Sequence, residues 1–176
     1  MPSLKIEFNQ YDLQTLGKIT PAVRRALRRA GTTALRDMKA EASKRIRQRK
    51  RLKVSAVSKA LVPAKPLGKA EEGQWTLRVR GNPVPLIAYP NRQTKKGTSV
   101  EVNRGKRSLV AHAFVATMAT GHKGIFLRRG EQRLPIVERF GSRPVDALLH
   151  KGEAQAVAER GARSLSETFT RLFLKG

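Results

Sequence analysis

The chain has 176 residues, 39% of them apolar and 5% aromatic, leaving one Trp, two Tyr and six Phe to anchor a core. Its 37 Lys and Arg against 13 Asp and Glu give a formal charge of +24, so self-repulsion opposes a compact monomer unless an anionic partner supplies counter-charge. The absence of cysteine excludes disulfides and thiolate metal sites and permits folding in a reducing compartment.

The length suits a single domain with a buried core. The segment Met1 to Leu13 lacks the basic start and apolar run of a secretory signal. No stretch approaches the ~18 apolar residues of a membrane span. Synthesis and assembly in the cytoplasm are therefore expected, with no membrane partner. Leu4, Ile6 and Phe8 alternate with polar residues and predict a short strand. Thr20-Pro21 then opens a helix, since Thr can cap it and Pro suits its first position. Val23, Leu27, Ala30, Ala34, Leu35, Met38, Ala42 and Ile46 recur at three- and four-residue intervals. They mark an amphipathic helix of about 28 residues, with Gly31 an unfavourable residue at its middle.

Thirteen cations lie between Arg24 and Lys53, opposed only by Asp37 and Glu41. So few acids cannot make the interleaved pairs that stabilise a solvated charged helix. The densest part, Lys44, Arg45, Arg47, Arg49, Lys50, Arg51 and Lys53, falls near the helix end, where cations also suit the dipole. It is the candidate surface for DNA or an anionic partner. The plainer alternative is a solvated helix face.

Val54 to Leu61 predicts a second short helix, broken by Pro63, Pro66 and Gly68. Glu71-Glu72-Gly73 reads as a turn. Trp75, Leu77 and Val79 alternate with Thr76 and Arg78 as a strand. Gly81-Asn82-Pro83 turns the chain, and Val84 to Tyr89 is expected to continue as a strand up to Pro90. Lys95-Lys96-Gly97 is a polar loop tip, and Ser99 to Asn103 a further strand with Gly105 after it. His112 to Met118, Ile125 to Arg128 and Leu134 to Arg139 follow as strands, joined by turns at Gly121, Gly124 and Gly130. Pro144 opens the last third. From Glu153 to Leu174, Val157, Ala158, Ala162, Leu165, Phe169, Leu172 and Phe173 mark one face of a second long helix, interrupted by Gly161. The expected architecture is α+β in one domain over 1–176: a basic helical segment over about 20–61, a mostly antiparallel sheet over about 74–140, and a C-terminal helix over about 151–174 packed on the sheet.

Chemistry-bearing patterns are sparse. His112, His122 and His150 are far apart and lack metal-ligand spacing. Ser142 and Ser164 lack the strand-turn-helix context of an activated nucleophile. Gly121-His122-Lys123-Gly124 lacks the spacing of a phosphate loop and reads as a hairpin turn. No aromatic pattern suits base stacking, and no sequence-reading DNA motif is present. No paired acid/base site is nominated, so no catalytic residue, metal or cofactor is expected and the chain reads as a non-enzyme.

Two segments, Lys44 to Val62 and Val110 to Leu148, carry a resemblance. In the second, Ala113-Phe114, Gly121, Phe126 with Arg128, Leu134-Pro135-Ile136, and Gly141 with Pro144 follow one another in order. Together with the chain length, they resemble the prophage minor tail protein Z family, the tail-completion proteins of long-tailed phages. The resemblance implies a structural virion protein at the head-proximal end of the tail, helping to finish the tail for head–tail joining and DNA passage. Implied neighbours are the tail terminator ring, the tape-measure protein, other tail or connector proteins and the genomic DNA end. Sixfold tail symmetry suggests a hexameric ring. Composition alone favours a second reading, a basic non-specific nucleic-acid-binding protein such as a ribosome-associated or nucleoid protein. A nuclease is the third, and it would require an acidic metal cluster that the spacing does not supply.

Overall fold

The structure, a computed structural model, describes residues 4–8, 20–64 and 75–174. The turn expected at Glu71-Glu72-Gly73 and the breakers Pro66 and Gly68 lie outside them.

Helix α1 runs Pro21–Arg49, 29 residues. The Thr20 hydroxyl accepts the Val23 N–H at 3.4 Å, and Pro21 begins the first turn. Leu27, Ala30, Gly31, Ala34, Leu35, Met38, Ala42 and Ile46 are its buried residues. They recur as the helical repeat requires and form the seam of the domain. The tight α2, Val54–Ala60, follows. Helix α4, Glu153–Leu174, runs antiparallel to α1, as shown by Arg45 meeting Glu153 and Asp37 meeting Ser164.

The contact between these helices differs from the expected apolar face. Val157, Gly161, Ser164 and Thr168 are the buried line of α4, whereas Ala162 and Phe173 are exposed. Small residues on both helices permit close approach. The larger Leu165 and Phe169 lie beside that line, half-buried against the core, and Phe169 stacks on Phe173 at 5.8 Å.

Among the described residues the strands form three antiparallel sheets of three strands each, the first of which draws two strands from outside the expected sheet region. In the first, β3 (Trp75–Val79) lies between β1 (Leu4–Phe8) and β2 (Leu61–Ala64), with Val79 opposite both Leu4 and Leu61. Pro63 is tolerated because β2 is an edge strand. The Trp75 indole covers Gly31, where a Cβ would come within 1.9 Å of the ring. The glycine that weakens α1 locally is therefore the site at which the helix docks on the sheet.

The second sheet is a meander of β4 (Asn91–Thr94), β5 (Gly97–Asn103) and β6 (Lys106–Ala111). The third is β7 (Phe114–Thr117), β8 (Lys123–Arg128) and β9 (Ile136–Glu138). The four-residue α3, Val145–Leu148, then packs against α1.

Several expected elements are corrected. Val84 to Tyr89 is not a strand. Pro83 and Pro85 lack N–H donors for a ladder. The segment instead makes an isolated bridge, Pro85 to Phe140, and a single 3-10 turn at Leu86–Ala88. His112 does not begin a strand but sits in a turn at φ 58°. Gly124 is not a turn: it is buried within β8, under the Phe126 ring. Strands β2, β4 and β6 were not expected, because one contains proline and the others are polar or exposed.

Candidate functional site

Lys44, Arg45, Arg47 and Arg49 lie on the last turns of α1, where each position is rotated by about 100° from the one before, and Lys50, Arg51 and Lys53 lie on its exit, which begins in extended conformation at Lys50. The structure accordingly divides them among several directions.

Arg45 and Arg49 turn towards α4. Arg45 donates to Glu41 at 2.7 Å and to Glu153 at 2.6 Å. Arg49 donates to Glu153 through Nε and Nη2 at 3.2 and 2.9 Å. Glu153 also stands in the first turn of α4, where the dipole favours an anion. The hydrogen bonds from Arg45 and Arg49 outweigh its partial desolvation and hold its carboxyl below the ordinary glutamate value. Reciprocally, the bond to Glu153 raises the Arg45 pKa, opposed by burial and aided by Glu41. These two arginines join helices, Arg45 part-buried and Arg49 still 43% exposed beside Glu153.

Lys50 and Arg51 turn towards the β5–β6 hairpin. The Lys50 ammonium donates to Asn103 Oδ1 at 2.8 Å, and the Arg51 N–H to Val102 O at 3.0 Å. Glu101 lies between Arg51 and Arg107, 3.8 Å from each, and accepts the Gly105 N–H at 3.0 Å. Lys53 is exposed at the start of α2.

Lys44 and Arg47 are the two that face outward together. With Ala40, Ser43 and Gln48 they line a shallow groove whose other wall is Arg104. Arg104 is fixed there by capping the end of α1. Its backbone N–H donates to Arg49 O at 3.0 Å and its Nε to Arg47 O at 3.2 Å. The carbonyls of a last helical turn lack partners within the helix, and a cation there also complements the dipole. Among the described residues neither Lys44 nor Arg47 is paired with a carboxylate. Lys106 and Arg107 continue the basic surface along β6. Arg107 also borders a second shallow groove, along β4, with Arg92.

Sequence reasoning missed Arg104, Lys106 and Arg107. The signal was present in Asn103-Arg104-Gly105-Lys106-Arg107: a glycine turn flanked by cations directly after an alternating strand.

The other candidates take structural places. The buried Ser164 donates to Asp37 at 2.7 Å across the helix seam, with Arg160 3.6 Å from the same carboxylate. The Ser142 carbonyl accepts the buried Tyr89 hydroxyl at 2.9 Å, and burial pushes that phenol up, opposed by its contact with the Ser142 hydroxyl at 3.5 Å. Burial opposes ionisation of Asp146, but the Arg143 guanidinium and N–H prevail and hold it below the usual range. The His122 Nε2 lies 3.0 Å from Glu138, with its ring edge-on to Phe126. His112 and His150 are exposed, and among the described residues no three His, Asp or Glu stand together as metal ligands.

The block with the family resemblance folds contiguously as β7, β8, β9 and α3. Phe114 and Phe126 pair across the sheet at 6.3 Å, with the Arg128 guanidinium 5.6 Å above Phe114. Gly141 admits the Tyr89 ring, and Leu134-Pro135, a cis peptide, leads into β9. Comparison with family models, curated proteins and solved structures finds no match.

Proposed function

We propose that the chain is a structural phage virion protein. In this reading it is a minor tail or tail-completion protein at the head-proximal end of the tail, aiding head–tail joining and DNA passage. The observation that carries the reading is the groove of Lys44, Arg47 and Arg104. It is an unneutralised cationic surface held by two separate elements on a packed α+β frame. Such a surface suits a protein that works by assembly and electrostatics, and the ordered block from Ala113 to Pro144 supplies the resemblance. A closed ring, with six copies as the expected number, would bring subunits together by heterologous contacts and repeat the groove around a channel. Terminator, tape-measure and connector proteins are the proposed neighbours, with the DNA end in the channel and the virion tail as the location.

The second reading, a basic non-specific nucleic-acid-binding protein, is favoured by the same groove taken alone, since phosphate contacts require no further architecture. Electron microscopy of lysates from a phage or prophage lacking the gene separates the two. Full heads beside unjoined tails, or joined particles that fail to deliver DNA, are expected. Normal infectious particles would remove the tail reading and leave the nucleic-acid one.

A further inference from the structure

We infer that the groove between the last turns of α1 and the β5–β6 hairpin is a binding site for the sugar-phosphate backbone of double-stranded DNA. In this site Arg104 acts together with Lys44 and Arg47. The inference rests on the reading above in taking this surface as the working one, and deepens it by naming the ligand.

Three features select a nucleic-acid backbone. The first is the floor. Ala40 and Ser43 are small, so a bulky polymer can approach the helix backbone while the longer Lys44, Arg47 and Arg104 reach around it. The second is the donor set. Two guanidinium forks and an ammonium, with the Ser43 hydroxyl and Gln48 amide beside them, match phosphate oxygens, and arginine forks bind phosphate in bidentate fashion. The third is the lack of an apolar anchor. Protein interfaces depend on a few large buried side chains, most often aromatic. The exposed large hydrophobics among the described residues are Val54, Leu109, Leu134, Phe140, Leu149 and Phe173, and none lines the groove. An acidic protein segment would find charge there but no pocket. The groove also has no aromatic ring on which unpaired bases could stack, which favours a duplex over a single strand.

Preorganisation supports the same conclusion. Arg104 lies 57 residues from Arg47 in sequence, yet its Nε is bonded to the Arg47 carbonyl. That bond uses one donor and leaves the other N–H groups of the fork for a ligand. The side chain is therefore held beside the groove before the ligand arrives, which lowers the ordering cost of binding.

The test uses the full chain and a 25-base-pair duplex of arbitrary sequence, followed by fluorescence anisotropy across 50 to 200 mM salt. Each phosphate contact contributes about −0.9 to the slope of log K against log salt. Lys44→Gln, Arg47→Gln and Arg104→Gln are each expected to flatten the slope by about 1 and to weaken binding roughly tenfold at 0.1 M salt. Lys44→Gln leaves the α1 cap intact, so its loss cannot be assigned to fraying of the helix. Arg133→Gln, an exposed neutralisation outside the groove, is expected to change binding much less. Wild-type slopes and affinities in the three groove variants would overturn the inference. So would displacement of the duplex by poly-glutamate at equal charge concentration, or clear preference for a single strand of the same length. Loss of duplex binding in the variants alongside normal particles from the gene deletion would retain this site and remove the tail reading. Defective joining without duplex binding would do the reverse.

Discussion

Gly31→Ala tests the packing that positions the groove. On helix propensity alone, alanine at the middle of α1 should stabilise the chain by about 1 kcal/mol. The structure predicts the opposite sign. The new Cβ would lie 1.9 Å from Cε2, and 2.2 Å from both Cζ2 and Nε1, of Trp75. Ordinary contact begins near 3.4 Å, so ring and helix must separate by about 3.4 − 1.9 = 1.5 Å. Trp75 is 2% exposed and stands on the central strand of its sheet, between β1 and β2, so neither partner retreats easily. Overpacking of a well-filled core costs roughly 1–3 kcal/mol and occasionally more, and so large an overlap belongs at the upper end. After the propensity gain, a net loss of about 2 kcal/mol is expected. For a chain of this size that lowers Tm by roughly 4–8 °C. Thermal and urea unfolding followed by circular dichroism would measure it. Repeating the substitution in a Trp75→Phe background should reduce the cost, because the smaller ring frees space, and the difference isolates the contact. An unchanged or raised Tm for Gly31→Ala would refute the proposed docking of helix on sheet.

Glu153→Gln should destabilise the chain by about 1–2 kcal/mol at pH 7, because Arg45 and Arg49 each lose a charged hydrogen bond. The folded carboxyl is held below its ordinary value, so this stability is present above about pH 4.5 and lost as pH falls further. Urea midpoints of wild type and variant should therefore converge in acid, and a constant gap from pH 7 to 3 would show that the pairs contribute nothing. Tyr89→Phe should cost about 1 kcal/mol by leaving the Ser142 carbonyl without its 2.9 Å partner. Since burial raises the phenol, wild-type stability should fall as pH rises past 10 and the variant's should fall less; identical alkaline profiles would contradict that. Raising sodium chloride from 20 to 200 mM should increase Tm, because screening relieves the repulsion of a +24 chain more than it weakens its few pairs. A Tm that falls with salt would place the pairs above the repulsion.

The long helices were legible because periodicity over many turns is a strong local signal, and α1 and α4 lie where the pattern of Leu27 to Ile46 and of Val157 onwards put them. The strand at Trp75 was legible for the same reason. Strands β4 and β6 were not, because they are stabilised by pairing to β5 and carry polar or exposed side chains, so no alternation marks them. Val84 to Tyr89 misled in the opposite sense: its apolar content comes from burial of Leu86 and Tyr89 in the core, while its prolines forbid the ladder. Within the basic cluster, sequence located the charge but not its direction. That Arg45 faces Glu153, and that Arg104 joins Arg47, depends on contacts 108 and 57 residues apart, which no local pattern encodes.

The distribution of acids shows why the groove is cationic rather than merely rich in cations. Asp37, Glu41, Glu101, Asp146 and Glu153 each meet an arginine, and three of them do so at a junction between elements. Asp37 and Glu153 tie α1 to α4, and Glu101 ties the exit of α1 to the β5–β6 hairpin. Removing one partner of such a pair would leave a partly desolvated charge, so the acids cannot shift to the surface without cost. Placing a carboxylate beside Lys44 or Arg47 would neutralise the groove while adding little stability, since an exposed pair contributes at most about 1 kcal/mol. Asp37, Glu101 and Glu153 therefore act where charge would otherwise oppose packing between elements, and the outward face of α1 keeps the field that an approaching polyanion would meet.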